Sequence, residues 1–342
     1  MDDEVAGRTM NQQPARRLLF RALRGLRVHA LLSPQDVPLA ATVGVLIALF
    51  TACAIAFPGF LSPGVARNLL VGNAVLGLVC IGMTFVIISG GIDLSVGAAI
   101  GFSSILIALL VQHGWHPLSA FGVSLATGTA GGAAMGTLIH RFALPPFLVT
   151  LAGMFLYRGG ALMVSERSIT IRHPFHRTLA EWGSGPVPPA VVMFIMIAAA
   201  GFVLARWTRF GRDVYALGGG EESARLMGVR VASVRMRVYA ISGLCAALAG
   251  VAMTLATGAG NATTGHLAEL DAIAAVVIGG TPLAGGAGSI VGTVAGVLIF
   301  GLIQEAMPRA GVTNSWWFRI AVGGLLLGFV LLQRGLEGRR AR

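Results

Sequence analysis

The sequence predicts an all-α membrane protein of about ten transmembrane segments, with both termini in the cytoplasm. Three observations predict it. Of 342 residues, 55% are hydrophobic and only 11% are charged, against roughly 25% charged in soluble domains. Ten apolar runs follow one another, parted by charges and Pro/Gly clusters. The arginines gather at one end of those runs, as the positive-inside rule requires of a membrane protein. The 48 glycines agree with this class, because small residues let membrane helices approach closely.

The runs are residues 38–57, 69–89, 94–112, 118–139, 147–164, 189–205, 238–258, 272–280, 289–307 and 316–333. A spanning helix needs about 20 predominantly apolar residues, and all but the eighth approach that length. Residues 272–280 would rise only about 14 Å as a helix, half of a ~30 Å hydrocarbon core. Before the first run, residues 1–37 hold six arginines and no apolar stretch of signal length. They predict a flexible cytoplasmic arm rather than a cleaved leader. Residues 38–335 form the expected transmembrane domain, with a long cytoplasmic loop at 206–237. A basic tail follows at 336–342.

All 25 basic residues are arginine and the net charge is +11. With the N-terminus inside, eighteen arginines lie in cytoplasmic segments. Five lie in outer loops: Arg67, Arg167, Arg172, Arg177 and Arg309. This distribution favours a membrane orientation signal over a nucleic-acid footprint. Two interfacial aromatics, Trp316 and Trp317, then fall at the outer surface. The missing lysine excludes a Walker A phosphate loop and Schiff-base chemistry, so ATP would have to be bound by another chain. Cys53, Cys80 and Cys245 lie in separate apolar runs and suggest neither a disulfide framework nor a metal site. No nucleophile–base pair or metal-ligand helix is present, so an enzyme is not expected.

Two helix breaks stand out. Gly90 and Gly91, followed by Asp93, part the second and third runs. Gly279 and Gly280, followed by Gly285 and Gly286, interrupt the eighth and ninth. Irregular backbone survives at membrane depth only when buried in protein or lining a polar cavity, which points to a transport path. Residues 88–101 and 278–292 read alike; an internal repeat and the ready self-similarity of glycine-rich sequence both account for it. A third interruption is expected in the fifth run, at Arg158-Gly159-Gly160. Gly128 to Gly132 reads instead as a packing face.

Charged groups in spans are costly. Arg158, Arg319 and Glu305 lie near the outer helix ends, with Glu269 and Asp271 at the outer start of the eighth run. Snorkelling accounts for the arginines; so does a polar outer vestibule, with Trp316 beside it, passing a hydroxylated solute. Asp93 sits where an N-cap carboxylate would satisfy free helix N–H groups. No carboxylate or histidine falls at the centre of a run, where ion-coupled carriers commonly keep one.

Within residues 206–237, the stretch 211–229 reads GRDVYALGGGEESARLMGV. Glu221 and Glu222 suit the first turn of a short helix, and Gly228 suits its C-terminal cap. Ala224, Leu226 and Met227 could fill a groove on a partner protein; a helix lying on anionic lipid is the alternative.

This loop, with residues 82–97 (GMTFVIISGGIDLSVG) and 269–281 (ELDAIAAVVIGGT), resembles the permease subunits of bacterial ABC sugar importers of the ribose, xylose and galactofuranose type. The likeness covers roughly residues 38–335. Residues 145–155 (PPFLVTLAGMF), 164–169 (VSERSI) and 315–317 (SWW) are most similar to a galactofuranose-importer permease. The resemblance implies an inner-membrane location, a second permease subunit (a paralogue or a second copy), two cytoplasmic ATP-binding subunits and a periplasmic sugar-binding protein. It implies that Gly218, Glu221, Glu222, Ala224, Arg225 and Gly228 belong to a coupling helix that docks on the ATPase. The loop departs from the EAA pattern of other importer classes, keeping Glu222, Ala224 and Gly228 with Ser223 between. Arg67, Arg167, Arg172, Arg177 and Arg309 would meet acidic residues of the binding protein. An ion-coupled secondary transporter and a branched-chain amino acid permease are the alternatives.

Overall fold

A computed structural model describes residues 37–182, 188–312 and 314–338. The expected arm lies outside the described residues except for Val37, as does the end of the basic tail. Thirteen helices and one short strand pair make up the described chain. Each of the ten expected runs forms a helix. These are α1 (Val37–Ala56), α2 (Pro63–Ile88), α3 (Val96–Gln112), α4 (Pro117–Arg141), α5 (Pro146–Val164), α7 (Pro189–Trp207), α10 (Val231–Thr257), α11 (Ala268–Ile278), α12 (Ile290–Arg309) and α13 (Ser315–Gly338). Six of them, α1, α2, α5, α7, α10 and α12, are long and apolar enough to cross a membrane. Three further helices lie between runs: α6 (Pro174–Glu181), α8 (Arg209–Gly219) and α9 (Glu221–Leu226).

Several boundaries differ from expectation for one physical reason. α10 begins at Val231 rather than 238, and α2 at Pro63 rather than 69. Arginines 67, 235 and 237 end an apolar run without ending a helix, because a helix can project from the bilayer into water. The loop at 206–237 is likewise mostly helical. The expected interruption of the fifth run is absent: α5 runs unbroken through Arg158, Gly159 and Gly160, its backbone bonds intact where two glycines only lower propensity.

α2 and α10 form the centre, 78% and 72% buried within the chain, whereas α1 is only 11% buried. The closest helix pair is α10 on α4. Gly128, Gly132 and Gly136 line one face of α4, and a Cβ on any of them would strike the α10 backbone at Gly243, Tyr239 or Arg235. This is the small-residue seam expected in a bilayer, where dispersion at short range replaces the hydrophobic effect. Thr84 of α2 and Thr293 of α12 share a hydroxyl hydrogen bond of 2.6 Å across the core. β1 (Ile169–Thr170) pairs antiparallel with β2 (Ala259–Gly260), fastening two loops at one end of the bundle.

Candidate transport and coupling site

The two expected helix breaks are real and share one backbone geometry. α2 ends where the Gly90 N–H donates to Ile87 O and the Gly91 N–H to Val86 O, with Gly90 at φ +81°. α11 ends where the Gly280 N–H donates to Val277 O and the Thr281 N–H to Val276 O, with Gly280 at φ +90°. Both are Schellman caps, which satisfy the last carbonyls of a helix through a left-handed residue. Beyond each cap the chain runs irregularly before the next helix starts.

The breaks also touch each other. The Gly286 N–H donates to Ile88 O at 2.8 Å, and a Cβ on Gly285 would lie 2.8 Å from Gly90 N. A third segment joins them. Gly218, near the end of α8, packs so tightly that a Cβ there would overlap both Ile88 O and Gly286 N. The Tyr215 hydroxyl, one turn earlier on α8, donates to Gly288 O at 2.8 Å. Thr42 of α1 donates to Ile278 O at 2.9 Å, tying the end of α11 outward. Backbone from three places in the chain therefore meets with almost no side chain between.

Asp93 is fully buried. One carboxylate oxygen accepts from the Ser95 N–H at 2.9 Å and the Ser95 hydroxyl at 2.6 Å. The other accepts from Ser242 of α10 at 2.7 Å. The expected N-cap carboxylate is met in part: Ser95 holds the cap position of α3, Asp93 accepts from its N–H, and the other Asp93 oxygen bridges the first break to α10. Tyr239 donates to Ile92 O on the same side.

α9 follows Gly220 and has Glu221 and Glu222 in its first turn. Glu221 is bonded to Arg225 at 2.8 Å and to Arg235 of α10 at 2.7 Å. Its carboxyl is held below the ordinary range by the Arg235 bond, then by the charges of both guanidiniums. The Gly228 N–H donates to Arg225 O and the Val229 N–H to Ala224 O, so Gly228, at φ +81°, closes α9 with a third Schellman cap. Ala224 is corrected as an outward contact: it is completely buried, whereas Leu226 is 86% and Met227 67% exposed. Glu222, Arg225 and Gly228 are exposed with them.

The expected outer residues are not one cluster. Arg158 donates to the carbonyls of Ala262 and Thr264, pinning the loop before α11. Arg319 faces Asp271 at 3.9 Å. Glu305 pairs with Arg309 at 2.6 Å within α12, and Arg309 also lies over the Phe60 ring. Arg177 pairs with Glu181 along α6. Of the proposed docking arginines, Arg167, Arg172, Arg177 and Arg309 are exposed and Arg67 is half-buried. Trp316 is 68% exposed. Thr281, which the sequence did not single out, is buried with no hydrogen-bond partner for its hydroxyl among the described residues.

A bundle of apolar helices with paired helix breaks, tied to an exposed helical hairpin, defines a membrane transport subunit. The sequence profile described as branched-chain amino acid transport system / permease component matches residues 65–330, and the chain belongs to that family. It is 46% identical over 308 residues to the inner membrane ABC transporter permease protein YjfF of Escherichia coli K12, covering 88% of this chain and 93% of that protein. It is 38% identical to the ribose import permease protein RbsC of Bacillus subtilis, covering 81% and 87%. It is 31% identical to the xylose transport system permease protein XylH of Escherichia coli K12, covering 82% and 87%. No solved structure matches. The resemblance to permeases of ribose/xylose-type importers is borne out. The chain is a multi-pass inner-membrane permease, a transport component rather than an enzyme.

Proposed function

We propose that this chain is one of two membrane-spanning subunits of an ATP-driven importer that brings a monosaccharide into the cell. Galactofuranose is the best-matched sugar on the motifs at 145–155, 164–169 and 315–317, and a ribose- or xylose-like sugar comes next. Relatives named for ribose, fructose and xylose import support a sugar over an amino acid. The chain crosses ten times with both termini inside. The ten helices and the arginine bias support this topology, with α11 too short to cross unaided. The shared cap geometry of the two breaks supports an internal repeat.

ATP is bound by cytoplasmic partner subunits that dock on α9, and a loaded sugar-binding protein docks on the outer face near Arg67, Arg167, Arg172, Arg177 and Arg309. A second permease, a paralogue or another copy, completes the path. One observation carries the mechanism: α8 touches both helix breaks through Gly218. Closure of the ATP-binding subunits shifts the α8–α9 hairpin, and the backbone junction passes that displacement to α3 and α12. The path then reopens on the other side without this chain binding nucleotide.

The test is uptake of labelled sugar into proteoliposomes holding the full complex with binding protein outside. ATP-dependent uptake that stops without the ATP-binding subunits is expected. Uptake by this chain alone on a proton or sodium gradient would establish an ion-coupled carrier instead. Binding by the cognate binding protein identifies the substrate, and preference for leucine or valine would return the branched-chain amino acid reading.

A further inference from the structure

Two cavities lie side by side along α10, next to α9. One, of about 240 Å³, is lined by Arg209 and Asp213 of α8, the turn Met227–Val229, and Arg230, Ser233 and Arg237. Three guanidiniums face one carboxylate there, and none of the three is ion-paired among the described residues. The other, of about 300 Å³, is lined by Leu204, Phe210, Ala240, Ile241 and Leu244, with Thr129 of α4. Its lining is apolar but for Thr129 and Arg237, the residue that both cavities share. Ser233, Arg237, Ala240, Ile241 and Leu244 recur at helical spacing, so one face of α10 changes from basic to apolar as it enters its membrane-spanning stretch.

We infer that this continuous site holds one anionic phospholipid, its phosphate among Arg209, Arg230 and Arg237 and an acyl chain along the groove beside Ile241. Unpaired arginines over a bilayer surface attract anionic headgroups at ~1 kcal/mol each. A protein acid would satisfy the basic end but leave the groove uncovered; a phospholipid matches both ends. Trp207 marks the depth: it is 68% exposed at the end of α7 and stacks edge-on with Phe202 at 5.8 Å, as aromatic side chains do at the headgroup level. The site includes Gly228, the cap of α9. A bound lipid therefore braces the hinge between α9 and α10, and headgroup charge becomes a control on how firmly α9 is held.

Native mass spectrometry of the purified full-length chain, supplied with dioleoyl phosphatidylglycerol or dioleoyl phosphatidylcholine, tests this. Preferential retention of one phosphatidylglycerol is expected. Arg237→Gln should weaken it about fivefold, the equivalent of ~1 kcal/mol. Ala240→Trp, which fills the groove and keeps the arginines, should weaken it too. Equal retention of both lipids by the unaltered chain would overturn the inference, a result needing no variant to fold. Displacement by glycerol phosphate at equal concentration would overturn it as well, since the groove would then contribute nothing. If the triple variant R209Q/R230Q/R237Q lost the ATP-binding subunits while keeping phosphatidylglycerol, the pocket would be a protein contact instead.

Discussion

At Gly218 a single hydrogen atom separates function from collision. Any Cβ there strikes Ile88 O and Gly286 N, which belong to backbone and cannot swing aside as a side chain would. Gly218→Ala is expected to leave the protein in the membrane, since overpacking of this kind costs about 1–3 kcal/mol. It should abolish most sugar uptake, read as transport per ATP hydrolysed in proteoliposomes; unchanged coupling would remove the junction from the mechanism. Asp93 gives a second test. Asp93→Ala strands the Ser242 hydroxyl and the Ser95 N–H, at about 1–3 kcal/mol for each buried unsatisfied group. Asp93→Asn keeps an acceptor and should recover part of the loss in a thermal melt. His176 gives a third. It is 1% exposed, its Nε2 has no hydrogen-bond partner among the described residues, it packs on Phe121, and burial, then the neighbouring His173, pushes its pKa below the ordinary value. The folded state favours the neutral ring, so α6 docks fully above about pH 6.5. Docking weakens as pH falls through the lowered value. Hydrogen exchange over residues 174–182 should accelerate in acid, and His176→Phe should remove that pH dependence.

At the scale of elements, α9 is short and owes its shape to neighbours rather than to its own propensity. Its acids suit the first turn, its single buried side chain is Ala224, and Arg235 anchors Glu221 from outside. Leu226→Asp is expected to cut association with the ATP-binding subunits at least tenfold while leaving the melt unchanged, measured by co-purification. Gly228→Arg should cut the same association through the cap and lower the melt as well, because a left-handed residue other than glycine costs ~1–2 kcal/mol. This helix was legible in the sequence because acids, an apolar centre and a terminal glycine fall at helical spacing. The direction of Ala224 was not, because six residues show too little periodicity to say which side faces the protein. The two breaks were legible from glycine pairs. Their meeting with α8 was not, since glycine carries no side-chain signature and the three segments lie far apart in the chain. The false break at Arg158 has the converse cause: an arginine and two glycines imitate an interruption, while the carbonyls of Ala262 and Thr264 accept the charge and leave the helix whole.

Across the molecule, the arginine asymmetry and the apolar runs made the class of protein readable before any contact was known. The helix ends were less readable, because charge marks where the bilayer stops and hydrogen bonding decides where a helix does. The seam between α4 and α10 adds a mechanical expectation. Those helices touch backbone to backbone over three glycines, so they should move as one body, while α1, least buried of the six long apolar helices, can shift against lipid. A disulfide introduced between α4 and α10 should leave transport intact. One introduced between α8 and the segment 285–288 should lock it.

The three-way junction has an evolutionary reading as well. In the proposed mechanism force passes there through peptide groups, which every residue shares, so the transmission would be indifferent to whatever chemistry lines the path. A lineage could exchange its sugar-facing side chains repeatedly and inherit the same linkage to its motor each time, provided a few glycines stayed in place.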